Sequence, residues 1–190
     1  FLGMYITVGP DKLAFVWRMM SYYPYIAIGA FLLPRWVKRN VVDPLAQRTF
    51  EPLFPLPKSA LIMRYRLEGS QEELAVANLH GINFTLGTER FREQLEQVAA
   101  ELRQHVGPII FGGDFNTWSA KRNAVLHGVM DELGLVAVEP SPDARRLAFG
   151  RHLDHMFIRG FTVMEASAPE VQSSDHSPIQ VRLAGQPARG

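Results

Sequence analysis

Four short blocks between residues 74 and 183 each join an apolar run to a cluster of polar residues. The polar clusters are NLH after the run LAVA, GGDFN after PIIF, DH within HLDHMFI, and SSDHS before PIQVRL. Apolar runs of this length are typical of buried strands, and strand ends are where a rigid sheet presents side chains to a pocket. The pattern therefore predicts a sheet-containing fold with one site built from four separated segments.

The spacing of apolar residues predicts the strands and helices around these blocks. Residues 59–67 alternate apolar and polar positions, which predicts a strand paired in a hairpin with residues 74–79. Apolar residues at spacings of three and four predict two helices, one capped by Thr88 and ending near His105, the other capped by Ser119 and ending at Gly134. Further strands are predicted over residues 108–111, 135–138, 153–159, 161–166 and 178–183.

The first 57 residues are less regular. Gly9-Pro10-Asp11 is typical of a helix start, and the apolar spacing after it predicts a helix over residues 11–21. Residues 25–33 are expected to form a buried strand, because this apolar stretch is far shorter than the roughly 20 residues of a membrane helix. Repeated prolines over residues 34–57 predict a surface loop.

The order of the predicted elements is strands, helix, strand, helix, strands. This order favours an α/β layered fold with a mixed sheet. The length of 190 residues, with 47% apolar and 21% charged residues, predicts one globular domain over residues 1–184, followed by a flexible tail over residues 185–190.

Charge and cysteine content exclude several functional classes. The chain has no cysteine, which rules out a disulfide scaffold, a thiolate zinc site and a cysteine nucleophile, and which fits a cytoplasmic location. The formal net charge is +1, so no global field attracts nucleic acid or an anionic membrane. Any nucleic-acid contact would need a local basic patch, and no transmembrane segment is predicted.

The polar clusters carry a distinctive set of ligands. Carboxylates and carboxamides are oxygen donors suited to Mg²⁺ or Mn²⁺, and the clusters supply Asp114, Asp154, Asp175, Asn78 and Asn116. The neighbouring histidines His80, His155 and His176 add general acid–base capacity. No serine stands in a nucleophile-elbow pattern, so we expect water to be the nucleophile in metal-assisted hydrolysis of a phosphate ester.

The motifs GGDFN, LDHMF and SSDHSP, in this order after NLH, resemble the endonuclease/exonuclease/phosphatase superfamily. The segments PKSALI, NLHGINFTLG and GGDFNTWS are similar to a bacterial subgroup of largely uncharacterised members. The resemblance covers roughly residues 50–183. It implies the deoxyribonuclease I-like fold, a layered sandwich of mixed β-sheets flanked by helices, and a divalent metal, Mg²⁺ or Mn²⁺.

The resemblance also implies roles for the matching residues. Asp114 would orient or deprotonate the attacking water and contribute to the metal site with Asp175. Asn116 would donate a hydrogen bond to the scissile phosphate. Asp154 would hold His176, which would stabilise the charge that develops on the phosphate.

The resemblance implies roles for two further residues of the NLH motif. His80 would contact the phosphate or assist the leaving group, and Asn78 would lie behind the residues that contact the substrate. From the residues alone, Lys58 and Trp118 are candidates for substrate binding, although a solvated lysine and a tryptophan packed under the loop are equally open. Arg145, Arg146 and Arg151 could contact phosphates or form a solvated loop.

One part of the sequence departs from the family pattern. Members carry an Asn on the first strand and a metal-binding Glu at the end of the second, whereas this chain has FLGMYITVG and no acid before Asp11. We therefore expect an N-terminally incomplete fold that lacks the principal metal ligand and is catalytically impaired.

The sequence thus predicts a monomeric, metal-dependent phosphoesterase that cleaves a phosphodiester or phosphomonoester by in-line attack of water, with a nuclease slightly favoured. Two alternatives stay open. One is a phosphatase acting on a small metabolite or a lipid headgroup, since the sequence has no basic stripe of the kind that nucleic-acid grooves need. The other is a binding module that retains the fold without activity.

Overall fold

The computed structural model describes residues 3–9, 12–18, 41–50, 57–67 and 72–185, with the backbone alone for the first three segments and Pro57. Two compact units are present, one over residues 1–38, 138–146 and 160–190, the other over residues 39–137 and 147–159. The strands are β1 Gly3–Gly9, β2 Lys12–Arg18, β3 Val41–Phe50, β4 Pro57–Arg66, β5 Glu73–His80, β6 Ile109–Asp114, β7 Val136–Ala137, β8 Leu147–Ala148, β9 Arg151–His152, β10 Asp154–Arg159, β11 Phe161–Ser167 and β12 Ile179–Gly185. The helices are α1 Glu89–Arg103 and α2 Ala120–Glu132.

The second unit contains a six-stranded mixed sheet in the order β3-β4-β5-β6-β10-β7. The predicted hairpin is confirmed, because β4 and β5 pair antiparallel with Ala60 opposite Leu79. Strands β5 and β6 pair in parallel, so the chain between them crosses over through α1. Parallel neighbours bring the carboxyl ends of both strands to the same edge, where NLH and GGDFN end.

One face of this sheet packs against the two helices. The predicted apolar face of α1 is confirmed, with Phe91, Leu95, Val98 and Leu102 fully buried. Val125, Leu126, Val129 and Met130 of α2 are buried in the same core, together with Ile109 and Phe111 of β6. Alternation along β6 therefore directs Ile110, Gly112 and Asp114 to the opposite face of the sheet.

The first unit contains a four-stranded sheet in the order β1-β2-β12-β11, with every neighbouring pair antiparallel. The predicted helix over residues 11–21 is wrong, because Lys12–Arg18 forms strand β2. Phe15, Val16 and Trp17 are aromatic and β-branched residues, which favour a pleated strand. Hydrogen bonding to β1 on one side and β12 on the other outweighs a helical spacing that extends over only three turns.

The predicted loop over residues 34–57 is also wrong in part, because residues 41–50 form β3. Pro44 is tolerated because β3 is the edge strand of its sheet and the register shifts between Val41 and Pro44. The predicted strand over residues 25–33 and tail residues 186–190 lie outside the described residues. Within the part of the chain that the structure describes, no helix has the length and apolar character needed to cross a bilayer.

Candidate active site

A row of three polar side chains crosses the ends of three neighbouring strands in the second unit. His80 on β5 is the register partner of Asp114 on β6, and Asp114 is in turn the partner of Asp154 on β10. Directly opposed residues project from the same face of a sheet. Asp114 and Asp154 are only 5% and 2% exposed, so the row presents two buried carboxylates beside an imidazole.

Lys58 extends this row past His80. The Lys58 Nζ atom lies 2.6 Å from His80 Nε2, and the same Nε2 atom lies 3.5 Å from Asp114 Oδ2. An ammonium group can only donate, so Lys58 donates in this contact. The arrangement places an ammonium group and an imidazole next to the two acids.

Two hydrogen bonds connect the GGDFN segment to Gly81, the residue that follows NLH, and a third lies within GGDFN. The Asn116 backbone N–H donates to Asp114 Oδ1 at 2.9 Å, and Asn116 Nδ2 donates to the Gly81 carbonyl at 2.9 Å. The Gly81 N–H donates to the Asp114 carbonyl at 2.7 Å. Asn116 has a φ of 52°, a left-handed conformation that asparagine adopts more readily than most residues. These bonds fix the Asp114 and Asn116 side chains relative to β5.

Two glycines allow this close approach. A Cβ atom on Gly81 would lie 2.7 Å from the Phe115 carbonyl oxygen, and one on Gly113 would collide with the Leu79 carbonyl oxygen. Both obstacles are backbone atoms that cannot rotate away. The glycines of NLHG and GGD are therefore required by the spacing of the two segments that form the site.

Two buried polar side chains, neither of them predicted from the sequence, form hydrogen bonds with the loops of the site. Gln94 on α1 accepts from the Ile82 N–H at 2.8 Å and donates to the His80 carbonyl at 3.2 Å. Arg122 on α2 donates to the carbonyls of Asn116 at 2.7 Å and Ile82 at 2.5 Å. A signal was present, because Gln94 and Arg122 occupy positions on the apolar faces of their helices, where a polar residue needs a partner.

The remaining predicted residues of the second unit lie around this centre. Asn78 is half-buried on β5, two residues before His80 and on the same face. Trp118 donates its indole N–H to Asn83 Oδ1 at 2.9 Å, and its ring centroid lies 6.3 Å from that of the exposed Phe149. These contacts show that Trp118 packs against the neighbouring loops, and its stacking on a substrate stays a prediction.

His155 faces away from the acid row, as expected from its position next to Asp154 on a strand. Its Nε2 atom lies 2.7 Å from Thr117 Oγ1 and 3.1 Å from the His152 carbonyl oxygen. Its ring stacks on Phe157 with a centroid distance of 6.0 Å. These contacts hold His155 within the packed interior of the unit, on the face opposite Asp114 and Asp154.

Asp175 and His176 belong to the first unit. Arg146 Nη1 lies 3.4 Å from Asp175 Oδ2 and donates to the Asp175 carbonyl at 3.1 Å, while the His176 N–H donates to Ser174 Oγ at 3.2 Å. The pairing of His176 with Asp154 and the shared metal site of Asp175 with Asp114 therefore stay predictions.

The three arginines of the segment before LDHMF differ in environment. Arg145 is buried and bonds both carboxylate oxygens of Asp143, with Glu139 at 3.2 Å, which makes it structural. Arg146 is partly exposed and contacts Asp175. Arg151 is exposed at the start of β9. Only Arg146 and Arg151 are thus left as candidates for phosphate contacts from this segment.

The carboxylates fit a hard divalent cation. Among the described side chains, no group of three histidine or acidic residues lies close enough to enclose a metal. Mg²⁺ does not need such an enclosure, because it commonly uses one or two carboxylates and completes its shell with water and phosphate oxygens. The buried carboxylate of Asp114 supplies oxygen donors of this kind, with no thiolate present in the chain.

Comparison with solved structures shows the same fold at low sequence identity. The human Nocturnin catalytic domain with bound sulfate superposes with a TM-score of 0.57 and 18% identity, covering 77% of this chain and 60% of that domain. A mannosyl-6-phosphatase of Bacteroides thetaiotaomicron gives a TM-score of 0.53 and 18% identity, covering 76% of this chain and 67% of that one. The TDP2 protein of D. rerio, complexed with single strand DNA product, gives 0.50 and 16%, covering 77% and 69%. These similarities confirm the predicted deoxyribonuclease I-like α/β fold.

Closer relatives are bacterial. The chain is 44% identical over 145 residues to a UPF0294 protein of Vibrio parahaemolyticus, covering 76% of this chain and 51% of the relative. It is 42% identical over 145 residues to a UPF0294 protein of Klebsiella pneumoniae, covering 76% and 54%. The chain thus spans about half the length of the curated relatives it matches. Residues 14–176 match the Endonuclease/Exonuclease/phosphatase family, and the chain belongs to that family.

Proposed function

We propose that this chain carries the catalytic site of a divalent-metal-dependent phosphoesterase, which hydrolyses a phosphate ester by in-line attack of water. The observation that carries the proposal is the row of Lys58, His80, Asp114 and Asp154 across adjacent strands, with Asn116 bonded into it. The row combines a base, a hydrogen-bond donor and a positive charge within a few ångströms. Hydrolysis of an anionic ester needs these three elements.

Asp114 is the proposed base. Its Oδ1 atom accepts the Asn116 N–H, which fixes the direction of the carboxylate, and we assign Oδ2 to the attacking water. Burial and the rigid turn hold this oxygen in one direction, which lowers the entropic cost of positioning water. A bound Mg²⁺ or Mn²⁺, held by Asp114 and Asp175, would neutralise charge on the phosphate.

Lys58, His80 and Asn116 are proposed to bind the phosphate. Lys58 supplies the charge, and it also holds His80 through the 2.6 Å contact with Nε2. Asn116 has two N–H bonds on Nδ2, of which one goes to the Gly81 carbonyl, so the second can reach a phosphate oxygen. Donors fixed before the reaction stabilise developing charge more effectively than water does.

The pairing of Asp154 with His176 completes the proposal. A buried acid beside a histidine would hold the imidazole in one orientation and favour its charged form, which could stabilise the phosphate oxygens. A double-mutant cycle with Asp154→Asn and His176→Ala tests this pairing. Coupled residues should give a double variant about as impaired as either single variant, whereas independent residues should give multiplied losses.

Activity is tested with a bis-aryl phosphodiester, an aryl phosphomonoester and plasmid DNA, each with and without Mg²⁺. We expect slow, metal-dependent turnover, in line with the impaired activity expected from the sequence, that falls by a further 10²- to 10⁴-fold or so in Asp114→Asn, about the range for loss of a general base. Asp131→Asn on the exposed surface of α2 is the matched control, because it removes one carboxylate far along the helix from the loops.

The same assay separates the alternatives. Preference for plasmid DNA supports the nuclease, and preference for the monoester supports a phosphatase acting on a small metabolite or lipid headgroup. Absence of turnover with every substrate contradicts the proposal. Calorimetric titration with Mg²⁺ and with a phosphodiester would then show whether the chain acts as a binding module.

A further inference from the structure

Arg122 joins the two loops that carry the candidate catalytic groups. These are the β5–α1 loop, residues 81–88, and the β6–α2 loop, residues 115–119. Its Nε donates to the Asn116 carbonyl at 2.7 Å, and Nη2 donates to the Ile82 carbonyl at 2.5 Å. Its Nη1 donates to Thr85 Oγ1 at 3.1 Å. A single guanidinium thus bonds both loops at once.

The environment of Arg122 allows little movement. The side chain is 1% exposed, and its guanidinium carbon lies 4.0 Å from the centroid of the Phe91 ring, a distance typical of a cation–π contact. The planar fork of arginine fixes the directions of its donors, which a flexible lysine ammonium does not. The position of Arg122 therefore determines the relative positions of Ile82 and Asn116.

Asn116 needs such support more than its neighbours do. Its φ of 52° lies in the left-handed region, which is less favourable for an L-residue even when that residue is asparagine, so the surrounding contacts stabilise it. Its side chain and its N–H are bonded to Gly81 and Asp114, and Arg122 fixes the remaining backbone group, the carbonyl. Release of that carbonyl would let the peptide rotate and carry the Asn116 amide away from the position set by Gly81.

We infer that Arg122 is a positioning residue, which holds Asn116 in its left-handed conformation and sets the rate of phosphoester cleavage without touching the substrate. The inference rests on the proposed function for its kinetic part. Its structural part stands independently, on the contacts of Arg122 with both loops.

The experiment compares Arg122→Lys and Arg122→Met with Arg103→Lys in hydrogen exchange and steady-state kinetics. Arg103 is a matched control, because this partly exposed arginine of α1 pairs with Glu96 and Glu132 and contacts neither loop. We expect exchange in residues 81–86 and 113–118 to accelerate at least about tenfold in the Arg122 variants, with residues 60–66 and the control unchanged. We also expect kcat to fall at least about tenfold, with KM changed by less than about threefold.

Unchanged exchange in the two loops would overturn the inference, and so would faster exchange with unchanged kcat. If the Arg122 variants fail to fold, Thr85→Val removes the acceptor of Nη1, and Thr85→Ser is its control, because a serine hydroxyl keeps both this bond and the one that Thr85 Oγ1 donates to the Gly87 carbonyl. The valine variant should accelerate exchange in residues 81–86 by about two- to threefold, and an unchanged rate would contradict the inference. If the unaltered protein shows no turnover, the proposed function fails, and the exchange measurement still decides whether Arg122 holds the loops.

Discussion

Asp114 and Asp154 face each other across the antiparallel pair of β6 and β10, and both carboxylates are buried. Like charges at directly opposed positions of a sheet destabilise it, and burial increases the effect because water no longer screens the pair. Such a pair persists where it serves chemistry that needs concentrated negative charge. The arrangement is consistent with a cation site or a proton-transfer site, and it links stability to function.

Replacement of Asp154 by asparagine should separate the effect of this carboxylate on stability from its effect on activity. In the absence of metal, Asp154→Asn should change the free energy of unfolding by less than about 1 kcal/mol, because it removes one carboxylate of the opposed pair and also the proposed partner of His176. The same variant should lower kcat by at least about 100-fold. Urea unfolding and the phosphodiester assay measure the two quantities, and loss of stability together with retained activity would contradict the prediction.

Lys58 should act through its charge. In Lys58→Met, which keeps the length of the side chain, we expect kcat/KM to fall by about 100-fold, the loss typical of a fixed donor to a developing oxyanion. Arg66→Met is the matched control at the other end of β4, where the side chain is exposed. Equal activity of the two variants would show that the charge of Lys58 does not contribute to catalysis.

Two glycine substitutions should have opposite effects on stability. Gly113→Ala should lower the free energy of unfolding by more than about 2 kcal/mol, because the added methyl group collides with the Leu79 carbonyl. Gly128→Ala in α2 should raise it by about 0.5–1 kcal/mol, since a Cβ there has no neighbour within 4 Å and alanine favours the helix. Thermal and urea unfolding of both variants measure the two changes in the free energy of unfolding. Changes of the same sign and size would refute the close approach of Gly113 to the Leu79 carbonyl.

His105 should make stability depend on pH. Burial lowers its pKa below the ordinary value of 6.5 and outweighs the opposite effect of hydrogen bonds to the backbone of Pro108 and Glu73. The charges of Arg64 and Arg159 add to the lowering of this pKa. The unfolded chain therefore takes up the proton first as the pH falls. The contribution of neutral His105 to the free energy of unfolding is therefore fully present above about pH 6.5, and it is lost as the pH decreases below that value.

His105→Gln should remove this part of the pH dependence. Its curve of unfolding free energy against pH should be flatter than that of the unaltered protein between about pH 7.5 and 5, a range above the pKa of most carboxylates. Urea unfolding at several pH values gives both curves. Parallel curves would show that His105 does not titrate differently on folding.

Short-range sequence patterns predicted most local elements of the second unit, except β3, β8 and β9, and they predicted the family. The hairpin of β4 and β5, the buried faces of α1 and α2, and the polar clusters at strand ends were all predicted from short-range patterns. Such patterns are sufficient where one face of an element is apolar, because burial then selects one period and one orientation. The motifs NLH, GGDFN and LDHMF likewise need only neighbouring residues to be read.

Tertiary structure decided what depends on distant partners. Residues 12–18 have helical spacing, yet they form β2 because β1 and β12 supply hydrogen bonds on both sides. The row of His80, Asp114 and Asp154 depends on the registers of β5, β6 and β10, which no local pattern specifies. The same holds for Arg122, whose carbonyl acceptors lie 6 and 40 residues away along the chain. A sequence shows which residues are polar within an apolar face, but only packing determines the groups they contact.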